Sequence, residues 1–278
     1  MLKTRRAVIA VAVAILLWGG IADAGESGSS LLATDTRWEQ ARKDLTQGKA
    51  GEAKAAFEEL LKQYPNEADL HLFLGIALLR LRDPQAALLA IKKAIEVDPN
   101  HVEARTLLGY VELEVRGDVD AALREYRKVV ELKPDRAEAY VNLAVAQKRQ
   151  GELDSAIASL NKALELKPAF AQALTTRGGI YAEHYKWTEA RHDFEQALKL
   201  NPGDDGALYG LSQALREARD YAGAQQALSR LISRSPNFVY WLEWGRIGLI
   251  RYWWLLLAIA LGWGLKAKFI KARTEANG

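Results

Sequence analysis

Four histidines, His71, His101, His184 and His192, are the residues of this chain best suited to metal binding or proton transfer near neutral pH. Either role needs partners at a defined spacing. His184 and His192 stand eight apart and fall on different helices, and no acidic residue sits at metal spacing from any of the four. The chain has no cysteine, which removes thiolate metal sites, a disulfide framework and a lipidated cysteine anchor. Its carboxylates are interleaved with lysine and arginine, as in RHDFEQALK, the pattern of solvated helix faces. No glycine-rich phosphate loop is present. The histidines read as surface residues. The chain is expected to be no enzyme, with no cofactor, no metal and no small-molecule substrate.

Charge is unevenly placed along the 278 residues. The formal net charge is +3, yet residues 1–6 alone carry +3 and residues 239–278 carry +4, which leaves −4 between them. A mildly acidic body argues against nucleic acid, because phosphate binding needs a basic face.

The two ends are apolar. Lys3, Arg5 and Arg6 precede an apolar run from Ala7 to Ile21, then Ala22-Asp23-Ala24, then GESGSS. A basic start, an apolar run and a small-x-small site have the form of a secretory signal over residues 1–24, with an uncleaved anchor as the alternative and a linker over 25–33. The other end reads RYWWLLLAIALGWGLKAKFIK, residues 251–271. As a helix, Tyr252–Leu265 would rise only ~21 Å, short of a ~30 Å hydrocarbon core, whereas starting at Ile247 gives ~28 Å. Nine leucines and isoleucines at roughly −0.5 kcal/mol each outweigh Arg251, which can snorkel toward headgroups. Trp244, Tyr252, Trp253 and Trp254 resemble one interfacial belt, with Trp263 near the other, and Lys266, Lys268, Lys271 and Arg273 mark a cytoplasmic side. Residues 239–246 are expected to be an interfacial or capping segment, 247–265 a transmembrane helix and 266–278 a basic cytoplasmic tail. The competing expectation is a hydrophobic helix that caps the preceding fold. Ala258 and Gly262, four apart, could let a second membrane helix approach closely.

What must position these ends is a repeat. Pro65, Pro99, Pro134, Pro168, Pro202 and Pro236 are spaced by 34, 35, 34, 34 and 34 residues. Twelve residues before each stands an alanine: Ala53, Ala87, Ala122, Ala156, Ala190 and Ala224. Twelve or thirteen further back lies a small residue: Ala41, Gly75, Gly109, Ala144, Gly178 and Ser212. Four residues after each alanine comes a large apolar one: Phe57, Ile91, Tyr126, Leu160, Phe194 and Leu228. This pattern resembles the tetratricopeptide repeat, in six copies over 34–67, 68–101, 102–136, 137–170, 171–204 and 205–238. The resemblance implies an all-α, right-handed superhelical solenoid of antiparallel helix pairs, A then B. Physical reasons support the residue types. Small residues stand where the two axes cross, and the apolar residue one turn on enters the same seam. Proline ends helix B because it has no N–H to donate. Polar residues in EVDPNH and ELKPDR can cap the following helix. No repeat buries both faces alone, so stacking supplies the core. The third repeat carries one extra residue between Gly109 and Ala122, which should bulge late in helix A or in the turn around VRGDVD.

In such a solenoid the A helices line a concave face. The register places Trp38, Arg42, Leu72, Ile76, Leu79, Thr106, Tyr110, Leu113, Val141, Val145 and Lys148 on it, followed by Thr175, Ala182, Tyr209, Gln213 and Arg216. The middle of this set is apolar, and an apolar patch with a polar rim marks a binding surface. Chaperone-binding members of the family hold an acidic tail with lysine and asparagine at repeat positions 5 and 9. Here those positions are Leu72 and Ile76, Thr106 and Tyr110, Val141 and Val145, so an apolar helix or extended segment of a protein partner is the expected ligand. The chain is expected to be an adaptor that assembles or recruits envelope or membrane proteins. The expected location is a bacterial inner membrane with the repeats in the periplasm. The alternatives are an organellar anchored adaptor and a non-catalytic subunit of a membrane enzyme complex.

Overall fold

The computed structural model describes residues 35–276, and among them the regular structure is entirely helical. The expected signal segment and linker lie outside the described residues. The described residues fall into two compact units, one ending at Leu166 and one beginning at Lys167.

The first unit holds α1 (Thr36–Thr46), α2 (Ala50–Gln63), α3 (Ala68–Arg80), α4 (Pro84–Val97), α5 (Val102–Tyr110), a π-helical segment (Val111–Arg116), α6 (Val119–Leu132), α7 (Ala137–Gln150) and α8 (Leu153–Leu166). The second holds α9 (Ala171–Glu183), α10 (Trp187–Leu200), α11 (Asp205–Glu217), α12 (Tyr221–Arg234) and α13 (Phe238–Ala276). Within each unit, odd and even helices pair as A and B, and each B helix packs on the A helix that follows it.

The prolines set the helix ends. Each of the six B helices stops two residues before its proline. The seventh proline, Pro84, opens α4 behind the N-cap Asp83, where a missing N–H costs nothing. Aspartates cap three B helices: Asp83, Asp118 and Asp220 each accept a hydrogen bond from the backbone three residues on. Among the A helices Asp35, His101 and Asp204 do the same work. Arg136 and Phe170, at the N-cap positions of α7 and α9, make no side-chain cap, so the polar residues of ELKPDR do not serve as expected.

The A–B seam is built as the residue types require. All six alanines are completely buried, and the apolar residues one turn later are buried with them. A Cβ added to Gly75 would stand 2.7 Å from Ile91, one on Gly109 2.6 Å from Tyr126, and one on Gly178 2.9 Å from Phe194. The Ile91 side chain and the Tyr126 and Phe194 rings occupy the space that glycine leaves. The extra residue of the third repeat is absorbed by the π-helical segment, which Gly117 closes in the left-handed conformation at φ 73°. A wider helical turn takes up one residue without breaking the rod.

A largely buried ionic chain joins the starts of three successive A helices, α3, α5 and α7. His101 Nε2 lies 3.1 Å from Asp69 Oδ1, and its Nδ1 lies 3.5 Å from Glu103 Oε2. Arg136 Nη1 donates to the other Glu103 oxygen at 2.9 Å. This corrects the expectation of surface histidine at this one position. Burial lowers the His101 pKa, but hydrogen bonds to Asp69 and Glu103 outweigh it and raise the value to about 9. Burial raises that of Glu103, and hydrogen bonds from His101 and Arg136 bring it down to about 2. In the charged ring Nδ1 donates to Glu103, so the 3.4 Å bond from Ala104 N–H is given up.

The folded pKa of His101 exceeds its unfolded value of 6.5. Its contribution is therefore complete below pH 6.5 and is lost as pH rises through about 9, amounting to about 3 kcal/mol at most. Denaturant midpoints measured from pH 6.5 to 9.5 should fall, and His101→Leu should flatten that dependence. Equal slopes in both proteins would show that His101 is neutral when folded.

The last helix joins fold and apolar tail without a break. The Tyr240 ring meets that of Tyr209 of α11 at a tilt, centres 5.6 Å apart, and Glu243 pairs with Arg216 at 3.4 Å. Trp244 Nε1 donates to Ser229 Oγ of α12 at 3.0 Å, Ile247 is buried, and Arg251 reaches Gln225 at 3.3 Å. Beyond Arg251 the described side chains stand exposed, Trp253 at 58% and Trp263 at 78%. Among the described residues, Phe238–Leu261 is the one stretch long and apolar enough to cross a membrane by length and composition, with mean hydropathy 1.2. The helix thus begins as a cap and runs on as an uncovered apolar rod; Ile247 and Arg251, expected inside a span over 247–265, belong to the cap, and the uncovered part starts at Tyr252.

Candidate interaction groove

Aromatic packing organises the start of the expected groove. The Trp38 ring meets Phe73 edge-on at 4.9 Å and Phe57 at 5.8 Å. The Arg42 guanidinium lies 5.5 Å from the Trp38 and Phe73 ring centres, and Glu39 holds it at 3.0 Å. Arg42 is therefore tied to the fold and only partly free to answer a ligand.

One apolar cluster gathers Trp38, Leu72, Ile76 and Leu79, with Tyr110 packed against it as a half-buried neighbour. A second holds Leu113, with Val145 at its margin. Leu72, Ile76, Leu79, Thr106, Leu113 and Val141 are all buried. The apolar middle, expected to lie open, is closed in this structure, and its side chains serve as core. Thr106 also returns its hydroxyl to Val102 O at 2.8 Å. What the first unit leaves partly open is Arg42, Tyr110, Val145 and Lys148. In the second unit Thr175, Ala182, Tyr209, Gln213 and Arg216 are half-buried. Thr175 donates to Asp204 at 2.7 Å, while Tyr209 and Arg216 help to seat α13. Of the membrane-helix pair, Ala258 and Gly262 both lie within α13, and Ala258 is exposed.

Arginines at the ends of A helices do work that the sequence did not suggest. Arg80 donates to Leu45 O, the carbonyl near the end of the preceding A helix. Arg149 does the same to Leu113 O at 3.1 Å and pairs with Glu114 at 2.5 Å. A positive charge at a helix C-terminus satisfies orphan carbonyls and opposes the helix dipole. Arg80 and Arg149 share one repeat position, which is the signal that could have revealed them.

Two buried side-chain atoms among the described residues lack a hydrogen-bond partner, Asp205 Oδ1 and the Tyr110 hydroxyl, and of these only the hydroxyl is a donor. Burial pushes its pKa up, and the nearby Glu114 carboxylate adds to that effect. An unmet buried hydroxyl costs about 1–3 kcal/mol, which a ligand carbonyl could recover. Among the described residues no group of three or more histidine and carboxylate side chains could hold a metal ion.

Two family models, both described as tetratricopeptide repeat, match the chain. One matches residues 39–100, 74–116 and 112–171, and the other 181–242. Among solved structures, MamA 41-end from Desulfovibrio magneticus RS-1 is 25% identical with TM-score 0.55, covering 61% of this chain and 95% of that one. The pilF protein of Pseudomonas aeruginosa is 22% identical with TM-score 0.60, covering 73% and 91%, a likeness of fold alone. Among curated proteins, peptidyl-prolyl cis-trans isomerase FKBP4 of Mus musculus is 33% identical over 98 residues, 35% of this chain. The match spans 21% of that protein's length.

Proposed function

Because the chain belongs to the tetratricopeptide repeat family, we propose that it is a scaffold for protein–protein interaction held at a membrane by α13. The repeats take an apolar helix or extended segment of a partner along the A helices, and Tyr110 gives its free hydroxyl to that segment's backbone carbonyl. The orphan hydroxyl is the observation that carries this reading: among the described residues it is the buried side-chain donor left without a partner, the other unmet buried atom being an acceptor, Asp205 Oδ1.

The location rests on sequence and on the uncovered half of α13. The basic start, the apolar run and Ala22-Asp23-Ala24 favour export, and the lysines after Leu265 favour a tail left inside. Both signs favour the repeats standing on the outer side of the membrane, which we read as a bacterial inner membrane, where partners would be envelope or membrane proteins.

Tyr110→Phe tests the groove while sparing the fold. Removing an unmet hydroxyl without changing shape should leave stability unchanged or raise it by up to about 1 kcal/mol. Proteins cross-linked to the full chain in membranes and identified by mass spectrometry should include a partner whose recovery falls at least about fivefold in the variant. Equal recovery with both proteins would place the interaction away from Tyr110.

A further inference from the structure

Among the described residues three non-glycine residues have positive φ: Arg82 at 65°, Tyr185 at 58° and Arg219 at 61°. Each occupies the A–B turn position where other repeats have Gly48, Gly117 and Gly151. Glycine suits a left-handed position because it has no Cβ, and a large side chain there is strained. Two of the three lie in the second unit. Tyr185 is 80% exposed and meets Trp187 edge-on at 6.1 Å. The same turn carries His184 and Lys186, both exposed, and the next carries exposed Arg219 beside half-buried Tyr221. The acidic residues of that second turn are engaged elsewhere. Glu217 is held by Arg216 at 2.9 Å, and Asp220 caps α12.

The direction of α13 says what this edge faces. Tyr240 touches Tyr209 and Glu243 touches Arg216, so α13 runs alongside α11 in the same sense. It runs opposite to α12, since Trp244 meets Ser229 and Arg251 meets Gln225. The apolar rod therefore leaves the unit at the edge where α11 ends and α12 begins. Tyr221 lies four residues before Gln225, about 6 Å farther along, which brings it level with Tyr252–Leu255. The 184–186 turn joins α9 to α10 as the 218–220 turn joins α11 to α12, and α9 packs beside α11. Both turns thus stand at the height of the Tyr252, Trp253 and Trp254 belt.

We infer that the A–B turn edge of the second unit, through Tyr185, Trp187, Lys186, Arg219 and Tyr221, rests in the phospholipid headgroup layer of the bilayer that α13 enters. The inference depends on the membrane reading of α13. Tyrosine and tryptophan favour the interface between water and hydrocarbon, and lysine and arginine meet the phosphates there. Because α13 is one unbroken helix, inserting it brings this edge down onto the lipid and leaves the opposite edge in water. The strained turns keep large side chains where glycine would fold more easily, which fits a contact made outside the fold.

The chain has no cysteine, so single cysteines can be labelled without background. Four full-length variants, Tyr185→Cys, Arg219→Cys, Lys199→Cys and Ile259→Cys, would carry a fluorescent label. They would be reconstituted in phosphatidylethanolamine–phosphatidylglycerol vesicles with nitroxide lipids at headgroup or mid-chain depth. Lys199 is exposed at the far end of the 14-residue α10, about 20 Å from Trp187. Headgroup nitroxide should quench the labels at 185 and 219 about threefold or more over the label at 199, and mid-chain nitroxide should quench the label at 259. If the label at 259 is quenched while those at 185 and 219 match 199, the edge stands clear of lipid and the inference falls alone. If the label at 259 is not quenched, the membrane reading of α13 falls and takes the inference with it.

Discussion

Arg177→Ala should cost the second unit about 3 kcal/mol, among the largest losses open to a single side chain outside the apolar core. Arg177 lies on α9 and holds Asp193 of α10 through two bonds, Nε to Oδ2 at 2.7 Å and Nη2 to Oδ1 at 2.8 Å. Asp193 is 1% exposed. The carboxylate in turn raises the guanidinium pKa through these hydrogen bonds. Truncating the arginine leaves a carboxylate sealed between two helices without its fork-shaped partner. The loss measures that stranded charge and not the net value of the pair. Arg177→Met combined with Asp193→Leu should therefore recover most of it, because apolar residues of similar size remove the desolvation cost from both sides. Thermal melts would show a fall of more than about 10 °C in the single variant and a much smaller one in the double. A single variant that melts within about 2 °C of the parent would mean that water reaches Asp193.

Gly210→Ala should be nearly as damaging, at about 2–3 kcal/mol, although alanine is the better helix former. The added Cβ would stand 2.3 Å from Phe194, whose ring is already pressed against Gly178 of its own repeat. Phe194 is buried between the A helix of its own repeat and that of the next, so it has no direction in which to yield. Gly179→Ala is the control. Nothing stands within 4 Å of a Cβ there, so the same change should be neutral or stabilising by up to about 1 kcal/mol. Similar melts for the two variants would show that the Phe194 ring is not confined.

The contrast between Gly178 and Gly210 marks what could be read beforehand. The A–B seam was legible because its residues repeat at fixed spacing, so Gly178, Ala190 and Phe194 announce one another. Gly210 serves the joint between repeats, where Phe194 happens to be large, and no other repeat has the same pair. The Arg177–Asp193 link is likewise a single event across 16 residues with no period to betray it. The extra residue of the third repeat was legible as a count, and its π-helical form follows from the need to keep Gly109 opposite Tyr126. Groove exposure was not legible. Whether Ile76 faces water or a neighbour depends on how tightly successive helices stack, which periodicity does not encode. At the C-terminus, composition separated apolar from polar; the expected cap describes the first part of one helix, and the expected span is proposed for its exposed apolar remainder.

That helix is where the central claim is most exposed to test, through two shortened chains assayed by flotation with membranes and by cooperative thermal unfolding. A chain ending at Arg251 keeps Tyr240, Glu243, Trp244 and Ile247, and with them the seat on α11 and α12. It loses six leucines and isoleucines between Tyr252 and Leu265. At roughly 0.5 kcal/mol each these supply about 3 kcal/mol, or more than a hundredfold in membrane partitioning. A chain ending at Asn237 loses the seat as well. The shorter chain should leave the membrane and lose the cooperative melting of the second unit, whereas the chain ending at Arg251 should leave the membrane and melt as the parent does. If the chain ending at Arg251 still floats with membranes, or if it aggregates and no longer melts cooperatively, then the apolar half of α13 is not the anchor and the division into cap and span is wrong.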